Sequence, residues 1–287
     1  MWSYLWLFKK LTIMYRGFKL NINDSIFAQF IKGLIPLHDY LKGNDTAYEF
    51  YYSKGKVLFD KQKRIITENL KQYVIGESGV IDGTKLQNDW FPQINCDIFI
   101  SHSHKDEDLA IALAGWLYEI FKLDSFIDSC IWGYADDLLK LIDEEHCKNA
   151  NKSYNYKLRN YSTSHVHMML YMALMQMIDK TECLFFLNTP NSICLDEIET
   201  CTLSPWIYSE IGISQMIEKN PPERYISKTF SVIENANISD SVKFKYNLDL
   251  SHLECIDAVI FNQWAKRESQ CEQALDLLYE IIPAPQL

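Results

Sequence analysis

The sequence predicts an α/β fold with a parallel sheet from about residue 95 onward, and three observations carry that reading. Short β-rich apolar runs at Asp97–Ile100, Ser125–Asp128 and Cys183–Leu187 alternate with segments of helical period, the pattern of helices laid on both faces of a parallel sheet. Cys183–Leu187 is apolar throughout, without alternation, as a strand buried on both faces requires. A polar loop follows each run, at 101–106, 129–135 and 188–203, and ligands of open parallel sheets bind beyond the carboxyl ends of the strands.

Taken in order, the chain first offers a region to about residue 94 whose fold the sequence does not name. It holds an apolar segment, Ile26–Ile35, a helix expected around Lys61–Tyr73, and turn residues at Gly76, Gly79 and Asp82-Gly83. We therefore read 1–94 as an N-terminal extension, mixed or helical, and 95–287 as the α/β domain. After the loop at 101–106, Leu109, Ala112, Leu113, Trp116, Leu117, Ile120 and Phe121 recur at helical spacing. The next strand leads through a Gly-containing loop into a helix carrying Leu138, Leu139, Leu141 and Ile142. Residues 147–163, rich in Asn, Lys, Ser and Tyr, read as an exposed insertion, and Ser164 as the start of a Met-rich helix to about Asp179. A further helix is expected from Ser204, a fourth strand at 229–234 and a closing helix at Cys271–Ile282.

Composition narrows the functional classes. At 287 residues the chain suits one large domain or two ordinary ones. Its 48% apolar and 23% charged residues are the balance of a globular chain rather than a disordered one. A net charge of −10 argues against gripping nucleic acid through phosphates, which takes clustered Lys and Arg. Eight cysteines without a CxxC pair, several inside apolar runs, point to reduced thiols in a cytoplasmic protein rather than a disulfide framework. The apolar start, Met1–Phe8, lacks the order of a signal peptide and is too short to span a bilayer, so no membrane contact is expected; Met14 offers a second start.

The stretch Leu203–Ile211 is the most informative. Ser204 suits an N-cap and Pro205 the first helical position. Trp206 and Glu210 then share a helix face, and an aromatic wall strengthens a carboxylate's field on a nearby cation. Together with Phe99-Ile100-Ser101 closing the first strand, Phe126-Ile127-Asp128 closing the second and an apolar third strand, this order resembles the Toll/interleukin-1 receptor (TIR) domain over roughly residues 95–220. The resemblance implies a flavodoxin-like parallel sheet. It also implies that Glu210 is the catalytic glutamate of the NAD-cleaving members, with no cofactor and NAD+ as substrate. Ser101, His102, Ser103, Asp128, Trp132, Tyr134, Asn188 and Trp206 are the positions where substrate contacts would fall. It further implies self-association through TIR surfaces, a downstream effector for a nucleotide product, and kinship with bacterial members in antiphage defence such as those of Thoeris systems. The chain departs from the family pattern in the insertion at 147–163 and in having His102 and Ser103 where an aromatic residue and an arginine are common.

Two rival classes stand beside this. His102-Ser-His104-Lys-Asp106-Glu107 is similar to the His-x-His-x-Asp-His signature of metallo-β-lactamase-like hydrolases, with His146, Cys147, His165 and His167 as further ligands. Against it stand Glu107 in the place of the last histidine, the strand–helix alternation, and the divergence of His165 from His167 on a helix. The other rival is a non-enzymatic interaction module. The Met-rich helix and the pairs Asp136-Asp137 and Glu144-Glu145 read as core and solvated helix faces.

Overall fold

The computed structural model describes residues 15–31, 47–62, 73–75, 80–149, 151–195, 200–220, 222, 246–267 and 271–284, with the backbone alone at 74–75, 131–133, 195 and 271–273. Their main sheet is built from β1 (Arg16–Leu20), β4 (Ile98–Ser101), β5 (Ser125–Ile127), β6 (Cys183–Leu187) and β10 (Glu254–Ile256), in the spatial order β10-β1-β6-β4-β5; β2 (Val74–Ile75) and β3 (Val80–Ile81) form a small ribbon, and β7 (Cys194–Leu195), β8 (Thr200–Thr202) and β9 (Tyr246–Asn247) a small sheet before and beyond α7. All its pairings are parallel. Every residue of β4, β5 and β6 is buried, which is why these strands show as unbroken apolar runs. The strand expected at 229–234 lies outside the described residues.

The helices are α1 (Asp24–Ile31), α2 (Ala47–Gln62), α3 (Gly83–Trp90), α4 (Glu107–Phe121), α5 (Ser129–His146), α6 (Tyr156–Lys180), α7 (Pro205–Met216), α8 (Ala258–Ala265) and α9 (Cys271–Ile281). From β4 the chain crosses through α4 to the edge strand β5. From β5 it returns through α5 and α6 to β6, on the other side of β4. Right-handed crossovers running in opposite directions put their helices on opposite faces. The helix contacts agree: α4 packs with α2, and α1 with α2 and α8, whereas α6 packs with α5, α3 and α7.

The division at residue 94 does not describe the sheet. β1 comes from the first region, yet it pairs with β6 from Arg16↔Cys183 to Leu20↔Leu187 and with β10 from Phe18↔Glu254 to Leu20↔Ile256. It fills the fourth place of a sheet whose other neighbours follow the flavodoxin-like order. Buried Arg16 explains how a charged residue can open this strand. Its guanidinium pairs with Glu254, donates to the Ile282 carbonyl at 2.6 Å, and lies over the rings of Phe18 and Tyr279. The first and last described segments are thus locked to the same strand.

Two element boundaries differ from the sequence reading. The helix expected around Lys61–Tyr73 falls mostly on 63–72, outside the described residues; Lys61 and Gln62 belong to α2. Much of the supposed insertion at 147–163 is helix, because Asn155 caps α6 by accepting from the Leu158 amide at 3.2 Å, so the helix starts at Tyr156 rather than Ser164. Arg159 and Ser162 on its first turns both reach buried Asp143 of α5, at 2.7 and 3.1 Å. The loop expected at 129–135 is the opening of α5.

The face carrying α2 and α4 depends on two glycines. A Cβ on Gly55 would stand 1.8 Å from the Ile111 carbonyl oxygen, and one on Gly115 would stand 1.9 Å from that of Tyr51. Each helix uses its glycine to admit the backbone of the other. Gly115→Ala gains about 1 kcal/mol of helix propensity, but it forces two backbones apart in a packed layer, at a cost of about 1–3 kcal/mol or more. The expected net result is a lower urea midpoint for Gly115→Ala and for Gly55→Ala; a midpoint raised in either variant would contradict the close crossing.

Candidate active site

Four polar side chains with no solvent exposure meet at the carboxyl end of the sheet: Ser101, His102, Asp128 and Glu210. Ser101 ends β4, and His102 follows it. Asp128 follows β5 and stands at the N-cap of α5, but its carboxyl makes no cap hydrogen bond to the helix interior. Glu210 arrives from α7, where Ser204 accepts from the Ile207 amide at 3.3 Å and Pro205 opens the helix, as the sequence predicts. On α7 the buried positions Ile207, Glu210, Ile211 and Ser214 fall at i, i+3, i+4 and i+7. Helix geometry therefore turns this carboxyl into the apolar face of its own helix.

Ser101 Oγ donates to Glu210 Oε2 at 2.6 Å. His102 Nδ1 stands 2.6 Å from Asp128 Oδ1. The two carboxyls lie within hydrogen-bonding reach of each other. Among the described residues no donor hydrogen-bonds to Glu210 Oε1, which a proton shared between the carboxyls would satisfy.

Burial pushes Glu210 well above the ordinary carboxylate range, and the Asp128 charge and the hydrogen bond between the two push it further against the opposing pull of Ser101 and His102. Burial also raises Asp128, but there the hydrogen bond from Glu210 and the backbone N–H groups of Ser129 and His102 act downward. Both carboxyls are thus raised, first of all by burial. Desolvation takes His102 down to about 4, against the upward pull of Glu210, so the ring is neutral at neutral pH.

A second cluster ties down the loop that follows β6. Asp106 accepts from Thr189 Oγ1 at 2.5 Å, from Asn191 Nδ2 at 2.7 Å and from Ser192 Oγ at 3.4 Å. Thr202 Oγ1 donates to the Ser192 carbonyl at 2.9 Å just before α7. The segment leading to Glu210 is thereby fastened to the start of α4. Sequence reasoning weighed Asp106 only within a metal signature and passed over Thr189 and Ser192; the turn signature Thr189-Pro190-Asn191-Ser192 was the available signal.

No family model matches the chain, and no curated protein and no solved structure matches it either. The geometry must therefore be read from the chain's own residues. Of the sequence-predicted positions, Ser101, His102, Asp128 and Glu210 come together. Trp206, half-buried four residues before Glu210 on α7, packs its ring edge-on against His167 at 5.6 Å. Ser103 caps the short turn His104–Asp106. Asn188 donates to Asn21 Oδ1 at 2.6 Å, beyond the ends of β6 and β1. Tyr134 is half-buried on α5, and the side chain of Trp132 lies outside the described residues. His102 is buried whereas His104 is exposed, so the histidines of the metallohydrolase reading do not converge. Among the described residues no group of three or more His, Cys, Asp and Glu is arranged to hold a metal ion, and no helix is long and apolar enough to cross a membrane.

The buried groups have a measurable signature. The folded protein holds the Glu210 proton more tightly than the unfolded chain, whose glutamate titrates near ~4.3. The stabilisation it gives is complete below that value and is lost as pH rises through the folded-state value. His102 acts oppositely: its contribution is present above ~6.5 and lost as pH falls toward about 4. Glu210→Gln is therefore expected to melt higher than the wild type in mildly alkaline buffer, the gap closing in mild acid. Scanning calorimetry across that range reads it, and a gap independent of pH would contradict the burial-raised carboxyl.

Proposed function

We propose that the chain is a TIR-type NAD+ glycohydrolase or ADP-ribosyl cyclase with Glu210 as its catalytic carboxylate. The observation that carries this reading is the position of Glu210: fully buried at the carboxyl end of a parallel sheet, beside the point between β4 and β6 where the crossovers diverge, and oriented by Ser101. The nicotinamide of NAD+ is a cationic leaving group and needs no general acid. What needs help is the positive charge developing on the ribose, as in glycoside hydrolysis. A carboxylate held rigidly in a low-dielectric site stabilises that charge far better than one in water. Water capturing the ribosyl cation gives ADP-ribose; capture by another part of the nucleotide gives a cyclic isomer. Tyr134, half-buried on α5, offers a ring for stacking on a base. Self-association and a role in bacterial antiviral signalling through a downstream effector accompany this reading.

One observation favours a second reading. Glu210 has no exposure in this structure, so the groups over it must move before a substrate can reach it; a carboxyl that never becomes accessible would belong to a non-enzymatic interaction module.

Nicotinamide release from NAD+ by the purified protein, over a range of protein concentrations, separates the two. Release is expected from the wild type, falling by about 100-fold or more in both Glu210→Ala and Glu210→Gln and unchanged by chelator. Release surviving both substitutions would remove Glu210 from the chemistry, and no release from the wild type would leave the interaction module as the better reading.

A further inference from the structure

α6 carries two apolar faces. Val166, Leu170, Ala173, Leu174, Met177 and Ile178 turn into the core. On the other side Leu158, Tyr161, His165, Met168, Met172 and Met175 follow one another in alternating steps of three and four. Tyr161 is 68% exposed, Met168 57% and Leu158 46%. His165 is exposed as well, and Met172 and Met175 are half-buried. From His165 to Ile178 only the two histidines and Gln176 are plainly polar, the composition of a helix covered all round. A stripe of period 3.5 is the seam along which a second helix packs, each side chain seated among four of its partner's.

We propose that this stripe is a self-pairing surface. α6 of a second copy of the chain lies antiparallel on it, about a two-fold axis that crosses the helix between His165 and Met168.

The residues select this occupant. Antiparallel pairing sets Leu158 against Met175, Tyr161 against Met172 and His165 against Met168 of the other copy, and the two-fold repeats each layer. Every layer thus joins a methionine, unbranched and adaptable in shape, to a different side chain. Lys157 and Asp179 are exposed at the two ends of the stripe. Across the pair they come less than one helical turn apart along the axis, so opposite charges meet at both ends. A parallel pair would instead set His165 on His165, Lys157 on Lys157 and Asp179 on Asp179. Tyr161 already rests edge-on against His165 at 4.5 Å, so the widest part of the stripe is ordered before a partner arrives. Leu158 and Tyr161 belong to the 147–163 segment by which the chain departs from the family pattern.

This surface gives a place to the self-association proposed above and rests on that part of the reading, not on NAD+ cleavage. Sedimentation velocity of the full chain tests it, and a dimer is expected in the micromolar range. Met168→Glu puts two carboxylates into the dry seam and should weaken pairing by about 100-fold or more, with the circular dichroism of the wild type. Should that variant lose the wild-type spectrum, the end charges carry the test. Lys157→Glu and Asp179→Lys each set like charges together at both ends. Each also suits the dipole of α6, acid at its start and base at its end. Either alone should weaken pairing by about 3-fold or more, and the two together should restore it. A wild type monomeric throughout the micromolar range, pairing untouched by Met168→Glu, or charge variants whose losses add instead of cancelling would each overturn the proposal. A chain that pairs as expected but releases no nicotinamide would sink the cleavage reading and leave the pairing standing. A chain that cleaves NAD+ while monomeric would do the reverse.

Discussion

Two carboxyl groups, Asp128 and Glu210, lie side by side without solvent at the end of the parallel sheet. Placing both charges there costs more than any arrangement of their neighbours recovers, so a proton must reside between them. The rest of the site follows from that constraint. Ser101 takes one Glu210 oxygen. The α5 N-terminus and the backbone amides of Ser129 and His102 face Asp128. His102 stays neutral because its own desolvation outweighs the pull of Glu210.

The fold creates this encounter between residues remote in sequence. β4 and β5 are adjacent and parallel, so Ser101 and Asp128 finish at the same edge. The return to β6 brings the following loop past the same edge, and the Asp106 clasp with Thr189, Asn191 and Ser192 fastens that loop before α7 delivers Glu210. β1 completes the sheet on the far side of β6, secured by Arg16 to Glu254 and to the Ile282 carbonyl. The N-terminal residues described are consequently part of the same α/β layer structure that holds the site.

What was legible in the sequence was what local patterning encodes. β4, β5 and β6 were visible because strands covered on both faces lose their polar residues, and α7 was visible through Ser204 and Pro205. β1 was hidden because Arg16 and Lys19 interrupt its apolar pattern, and only the partners from β10 and the C-terminal segment explain how Arg16 is buried. The start of α6 was hidden because a polar segment folds as helix once Asn155 caps it and Asp143 receives Arg159 and Ser162. Glu210 stood out as a residue, but its partners did not: Trp206 packs against His167, and Asp128 meets Glu210 and His102. Such non-local pairings leave no periodicity in a single chain.

The central physical claim is that burial beside Asp128 raises the Glu210 carboxyl well above the ordinary carboxylate range. A carbon NMR titration of the side-chain carboxyls, with the Glu210 signal assigned by its loss in Glu210→Gln, measures this directly. The expected result is a glutamate signal that titrates well above the ordinary range. A signal for Glu210 that titrates near ~4.3 like a solvated glutamate would contradict the account.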